Sequence, residues 1–146
     1  SELAKLKEQI TEPADLKIIA TDISERAIYI SKTNAELAGV DHLIEFKVCD
    51  FQETDIPEGE GIVMINPEYG ERLGEEEELA STYANIGDFF KNKCKGKTGY
   101  VFTGNLDLAK SIRLKPSRRI EFFNAKIDCR LLEYELYAGT RREDKR

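Results

Sequence analysis

The sequence is short of several things that decide what it can be. No apolar run approaches the roughly 18 residues that a membrane-spanning helix needs, and the N-terminus lacks a signal-peptide pattern. The three cysteines, Cys49, Cys94 and Cys129, stand far apart without a Cys-x-x-Cys, and their count is odd. That excludes a disulfide framework and predicts buried, reduced thiols in a cytoplasmic protein. The one histidine, His42, falls in a helix-to-strand loop and is given no chemistry. Positive charge is also scarce: 22 Lys and Arg stand against 28 Asp and Glu, for a net charge of −6. That balance is awkward for a protein that must neutralise phosphate. Basic residues gather late, at Arg113, Lys115, Arg118 and Arg119 and again at Arg141, Arg142, Lys145 and Arg146. Each group alone reads first as solvated surface. If the chain works on RNA, much of the affinity is expected from elsewhere. No internal repeat or low-complexity tract is present.

What is there describes one globular domain. At 146 residues, with 40% hydrophobic and 34% charged residues, the chain is long enough to bury a core. Leu3, Leu6 and Ile10 keep helical spacing before Pro13. Lys17 to Thr21 reads as a strand ending in Asp22, and Asp22 or Ser24 caps a helix that Gly39 closes. Leu43 to Val48 is a second strand, ending at Cys49-Asp50-Phe51, and 52–61 is an acidic loop. After Glu75 to Glu78, an acid run suited to a helix dipole rather than to metal binding, Leu79, Tyr83, Ile86 and Phe90 mark an amphipathic helix. Gly99 to Thr103 is a strand, and Asn105 caps a short helix through Ser111. Arg118 to Phe123 and Cys129 to Tyr137 form a hairpin around Asn124-Ala125-Lys126. Tyr100, Phe102, Tyr134 and Tyr137 are read as packing residues. Strands alternating with helices before a closing hairpin predict an α/β fold, mostly parallel with antiparallel strands at one edge.

Between these elements lies the stretch from Gly61 to Gly74. Ile62 to Ile65 signal a short buried strand that breaks at Asn66-Pro67. Proline fixes its own φ and drives the preceding residue toward extended geometry, so the strand ends holding out an Asn side chain, a Pro carbonyl and a Tyr ring. An amide oxygen and a carbonyl accept hydrogen bonds from an exocyclic amine, and a Tyr face stacks on a planar base.

Asn66-Pro67-Glu68-Tyr69 resembles the Asn-Pro-Pro-Tyr motif of amino-directed, S-adenosylmethionine-dependent methyltransferases. The continuation Gly70-Glu71-Arg72-Leu73-Gly74 is similar to bacterial enzymes that methylate N2 of guanine in large-subunit ribosomal RNA, a family also labelled N6-adenine-specific DNA methylases. Glu68 departs from the commoner second proline, which keeps both acceptors and the ring but leaves a less stiff loop. The resemblance covers about residues 17–138, including the pattern from Phe123 to Glu135. It implies a class I, Rossmann-like sheet of order 3-2-1-4-5-7-6.

The resemblance also implies roles. Asp22 would accept from the cofactor's ribose hydroxyls, with Ile23 packed on the adenine; the plainer reading of Asp22 is a helix cap. Asp50 would meet the adenine amino group and Phe51 cover the ring, unless Asp50 is only a turn residue. Asn66, Pro67 and Tyr69 form the catalytic set, with Asn66 also near the cofactor, S-adenosylmethionine. Glu68 is a proton acceptor or a reader of a guanine edge, or else an exposed loop acid, and Arg72 either contacts phosphate or pairs with a local Glu. The expected activity is methyl transfer to guanine N2 of ribosomal RNA. The alternatives are adenine-N6 methylation of DNA, or an inactive cofactor-binding or interaction module.

One family feature is missing. None of the ten glycines forms a Gly-x-Gly strand-to-helix turn before Asp22. The chain is therefore expected to lack the first strand and its glycine-rich turn, and to be part of a catalytic domain inside a larger protein. That strand would lie between those ending at Asp22 and Asn66. Without it, both neighbours are expected either to pair directly or to drive self-association through free sheet edges.

Overall fold

A computed structural model describes residues 1–11, 15–70 and 76–137. Pro13, Glu71 to Glu75 with Arg72, and the last basic group fall outside them. The chain divides into two compact units, Ser1–Thr54 and Asp55–Arg146.

The first unit holds helix α1 (Glu2–Glu8), strand β1 (Ile18–Asp22), helix α2 (Glu25–Ala38) and strand β2 (Ile44–Val48). β1 and β2 pair in parallel, with Ile18 opposite Ile44 and Asp22 opposite Val48. A parallel pair needs a crossover, and α2 supplies it. Ser24 is the N-cap of α2, accepting the Ala27 amide at 3.2 Å. Gly39 ends the helix with φ of +74°, a left-handed conformation that costs glycine little. α1 forms at its predicted place, but Leu3, Leu6 and Ile10 remain exposed, so its apolar spacing buries no residue.

The second unit holds strand β3 (Ile62–Ile65), helix α3 (Glu76–Lys93), strand β4 (Thr98–Thr103), helix α4 (Leu106–Ala109) and strands β5 (Arg118–Asn124) and β6 (Ile127–Glu135). Its sheet has the order β3-β4-β6-β5, with β3 and β4 parallel and the other two pairings antiparallel. The helix expected through Ser111 is one turn of α4 followed by a 3₁₀ turn, Lys110–Ile112. The core sits between α3 and this sheet. Leu79, Tyr83, Ile86, Phe89 and Phe90 are buried on α3, Val101 and Thr103 on β4, and Cys129, Leu132 and Tyr134 on β6. The β5–β6 turn is Ala125-Lys126, and Ala125 takes a φ of +55°. Positive φ at only the first central residue is the sign pattern of a type II′ turn, where glycine is usual.

Taken separately, the two ladders carry the orders 3-2 and 4-5-7-6 of the class I methyltransferase sheet, and no described strand corresponds to its first. Within its own unit, β1 pairs with β2 and β3 with β4. The reading of β3 as a buried strand is corrected. It is an outer strand, and Ile62 and Met64 on one face are 71% and 63% exposed, while Val63 and Ile65 are half-buried. A run of four apolar residues looks the same whether one face or both are covered. Cys94 and Cys129 are buried free thiols, whereas Cys49 is only half-buried. No helix among the described residues is long and apolar enough to cross a membrane.

Candidate active site

The described residues singled out for cofactor and base lie at or just beyond the carboxyl ends of parallel strands, where open α/β sheets bind ligands; Arg72 lies outside the described residues. In the first unit, Asp22 ends β1 and Asp50 follows β2, and the Cys49 amide donates to the Asp22 carbonyl at 3.0 Å. Each carboxylate is oriented by a backbone amide two residues on. Asp22 Oδ1 accepts from the Ser24 amide at 2.8 Å, and Asp50 Oδ1 from the Gln52 amide at 2.9 Å. The cap itself belongs to Ser24, so of the two candidates Asp22 is left with a turn bond to the Ser24 amide.

No hydrogen bond to either Oδ2 occurs among the described residues, so a second oxygen on each is open to an incoming donor. Ile23, 75% exposed, holds an apolar side chain in solvent beside the first carboxylate, and Phe51 is half-buried beside the second. A bond between Thr21 and Thr54 Oγ1 atoms, 2.8 Å, ties the segment after β2 back to β1. Two oriented carboxylates beside apolar side chains are a donor-accepting, ring-covering set, which fits a ribosyl adenine. Among the described residues, no three His, Cys, Asp or Glu side chains are grouped to hold a metal ion.

In the second unit, Asn66 is exposed at the end of β3, Pro67 and Tyr69 are half-buried, and Glu68 is exposed. None of residues 67 to 70 makes a backbone-to-backbone hydrogen bond among the described residues. The loop is held instead by side chains from elsewhere. Tyr83 Oη on α3 donates to the Glu68 carbonyl at 3.0 Å, and Asn105 Nδ2 donates to the Tyr69 carbonyl at 3.3 Å. The Tyr69 ring lies against Gly104, where an added Cβ would stand 2.9 Å from its Cε2. Only glycine leaves the ring that seat.

The Asn66 side chain and the Pro67 carbonyl have no hydrogen-bond partner among the described residues, which leaves both acceptors free. Sequence reading had placed Tyr83 on a packing stripe and Asn105 at a helix cap, and both assignments hold, yet each also reaches the loop. The Thr103-Gly104-Asn105 string at a strand exit was the available signal.

A family model described as "RMKL-like, methyltransferase domain" matches residues 2–133. Ribosomal RNA large subunit methyltransferase K/L of Shewanella sp. (strain W3-18-1) is 37% identical over 130 residues, which are 89% of this chain and 18% of that protein. The chain therefore spans about a fifth of the length of such relatives. Among solved structures, SMU.472 complexed with SAH matches 94% of this chain and 36% of its own, with a TM-score of 0.82 and 21% identity. A protein of Listeria monocytogenes str. 4b F2365, described as a predicted N6-adenine-specific DNA methylase, matches 84% of this chain and 30% of its own. Its TM-score is 0.68 and its identity 29%. These likenesses agree with the class I sheet orders, and with a family match over most of its length this chain belongs to the RMKL-like methyltransferase domain family.

Proposed function

We propose that the chain supplies catalytic residues for transfer of a methyl group from S-adenosylmethionine to an exocyclic nucleobase amine, N2 of guanine in large-subunit ribosomal RNA. The observation that carries this reading is the pair of uncommitted acceptors, the Asn66 amide oxygen and the Pro67 carbonyl, at the end of β3. The relatives named as large-subunit ribosomal RNA methyltransferases favour RNA. The SAH in SMU.472 favours the cofactor, since SAH is what S-adenosylmethionine becomes on losing its methyl.

Asp22 and Asp50 would hold the cofactor through its ribose hydroxyls and adenine amino group, with Ile23 and Phe51 on the ring. When bound, it supplies an electrophilic methyl carbon on a sulfonium. The Asn66 amide oxygen and the Pro67 carbonyl would accept hydrogen bonds from the two amine N–H groups, which turns the nitrogen lone pair away from both acceptors and toward the methyl. Catalysis of this kind is chiefly positioning. Tyr69 stacks on the base once it has left its helix or loop. As nitrogen bonds to carbon, the carbon–sulfur pair returns to sulfur and the nitrogen sheds a proton to solvent, so no residue need become covalently modified. The free edges of β1 and β3 also belong to this reading: on its own, the chain self-associates through them.

Methyl incorporation into large-subunit ribosomal RNA and into duplex DNA, measured side by side, tests the substrate. Transfer to RNA at guanine N2 is expected. Transfer only to DNA adenine would establish the second reading, which the Listeria neighbour's description favours.

A further inference from the structure

Resting on the methyl transfer proposed above, we propose that Tyr83, Thr103 and Asn105 form a clamp of positioning residues that fixes the Asn66–Tyr69 loop through two successive carbonyls. The direction of every bond in the clamp follows from the groups present. The Glu68 carbonyl can only accept, so the single Tyr83 phenol proton goes to it, 3.0 Å away. The 2.7 Å contact between Tyr83 Oη and Thr103 Oγ1 must then be a donation from Thr103. Thr103 Oγ1 in turn accepts the Asn105 amide at 3.1 Å.

The relay thus runs one way, from the Asn105 amide through Thr103 and Tyr83 to the Glu68 carbonyl. The Asn105 side chain closes a second arm. Its Oδ1 accepts the Leu108 amide at 3.0 Å, capping α4, so its Nδ2 faces the Tyr69 carbonyl at 3.3 Å. Tyr83 and Thr103 are fully buried, where hydrogen bonds are strong and costly to leave unmade. Burial pushes the Tyr83 phenol above its ordinary range, against the lowering effect of the Thr103 bond. The phenol therefore stays a donor throughout neutral pH.

Both arms end on loop carbonyls, and residues 67 to 70 have no backbone partner of their own among the described residues. With Glu68 and Tyr69 pinned, the acceptors just before them are presented in one geometry. This compensates for Glu68, which lacks the stiffness that a second proline would give. Near-attack geometry is sensitive to about 1 Å of misplacement, so the clamp acts on rate rather than on cofactor binding.

Three substitutions in the full chain separate this role from mere packing. Asn105→Asp keeps the oxygen that caps α4 and removes the donor to Tyr69. Tyr83→Phe keeps the ring and removes the donor to Glu68. Thr103→Ser keeps the hydroxyl and serves as the conservative control. The expected result is a kcat lower by roughly tenfold to a hundredfold in the first two, with KM for S-adenosylmethionine within about twofold. Backbone NMR order parameters should fall at Glu68, Tyr69 and Gly70 in the first two, and Thr103→Ser should lie closer to wild type than either. A wild-type kcat with unchanged order parameters in both Asn105→Asp and Tyr83→Phe would overturn the clamp. If wild type transfers no methyl to nucleic acid, the functional reading falls instead. The clamp is then judged by the order parameters alone, which fall or hold independently of activity.

Discussion

Tyr134 shows how a single side chain can be well packed and still carry a cost. Its ring lies 5.9 Å from that of Phe90 in the core, but its hydroxyl is buried with no hydrogen-bond partner among the described residues. Burial pushes this phenol up to about 12 from 10.0, with Arg119 opposing, and pushes the Cys94 thiol up to about 11 from 9.0. Below pH 9 both groups are protonated folded and unfolded, and their stabilising contribution is fully present. As pH rises beyond that, the unfolded chain sheds protons that the folded chain retains, so stability is lost progressively through pH 11 and 12. Chemical denaturation should therefore show a lower midpoint at alkaline pH than at neutrality. Tyr134→Phe should raise stability at neutral pH by about 1 kcal/mol, because it removes an unpaired buried hydroxyl. It should also flatten the upper part of the alkaline decline. A loss of stability at neutral pH would mean that the hydroxyl has a partner. At this scale the sequence was read well where a residue acts on near neighbours, as with Ser24 capping α2. Tyr83 and Asn105 were read only in part, since they reach the loop across 15 and 36 residues of chain, and such closures leave no periodic trace.

Among the elements, β3 holds the structure's main departure from expectation. Its backbone is paired on one side, by β4, and Ile62 and Met64 face outward on one surface. An outer strand with apolar side chains and free backbone groups is a template for further pairing. Sedimentation of the 146-residue chain at rising concentration is expected to show self-association, and Met64→Lys on the exposed face should weaken it. A sedimentation profile unaffected by the substitution would remove β3 from any such contact. Element types were legible because alternation and helical spacing hold in β4 and α3, where one face is buried and the other more accessible. The β5–β6 hairpin was legible from its two β-rich runs, although its turn places Ala125 at a φ of +55° without the usual glycine. What pattern could not show was which side of β3 is covered. A four-residue apolar run carries no alternation to decide it.

For the molecule as a whole, three observations converge. The two ladders, each taken by itself, follow the class I order, Asp22, Asp50 and Asn66 each stand at or just past the carboxyl end of a parallel strand, and a methyltransferase family model matches most of the chain. The most direct measurement is single-turnover methyl transfer to large-subunit ribosomal RNA by wild type and Asn66→Ala, with S-adenosylmethionine affinity measured on both. The account predicts that the substitution lowers the transfer rate by roughly a hundredfold or more while affinity changes only a few-fold, since Asn66 orients the amine that reacts. Undiminished transfer by Asn66→Ala would contradict it.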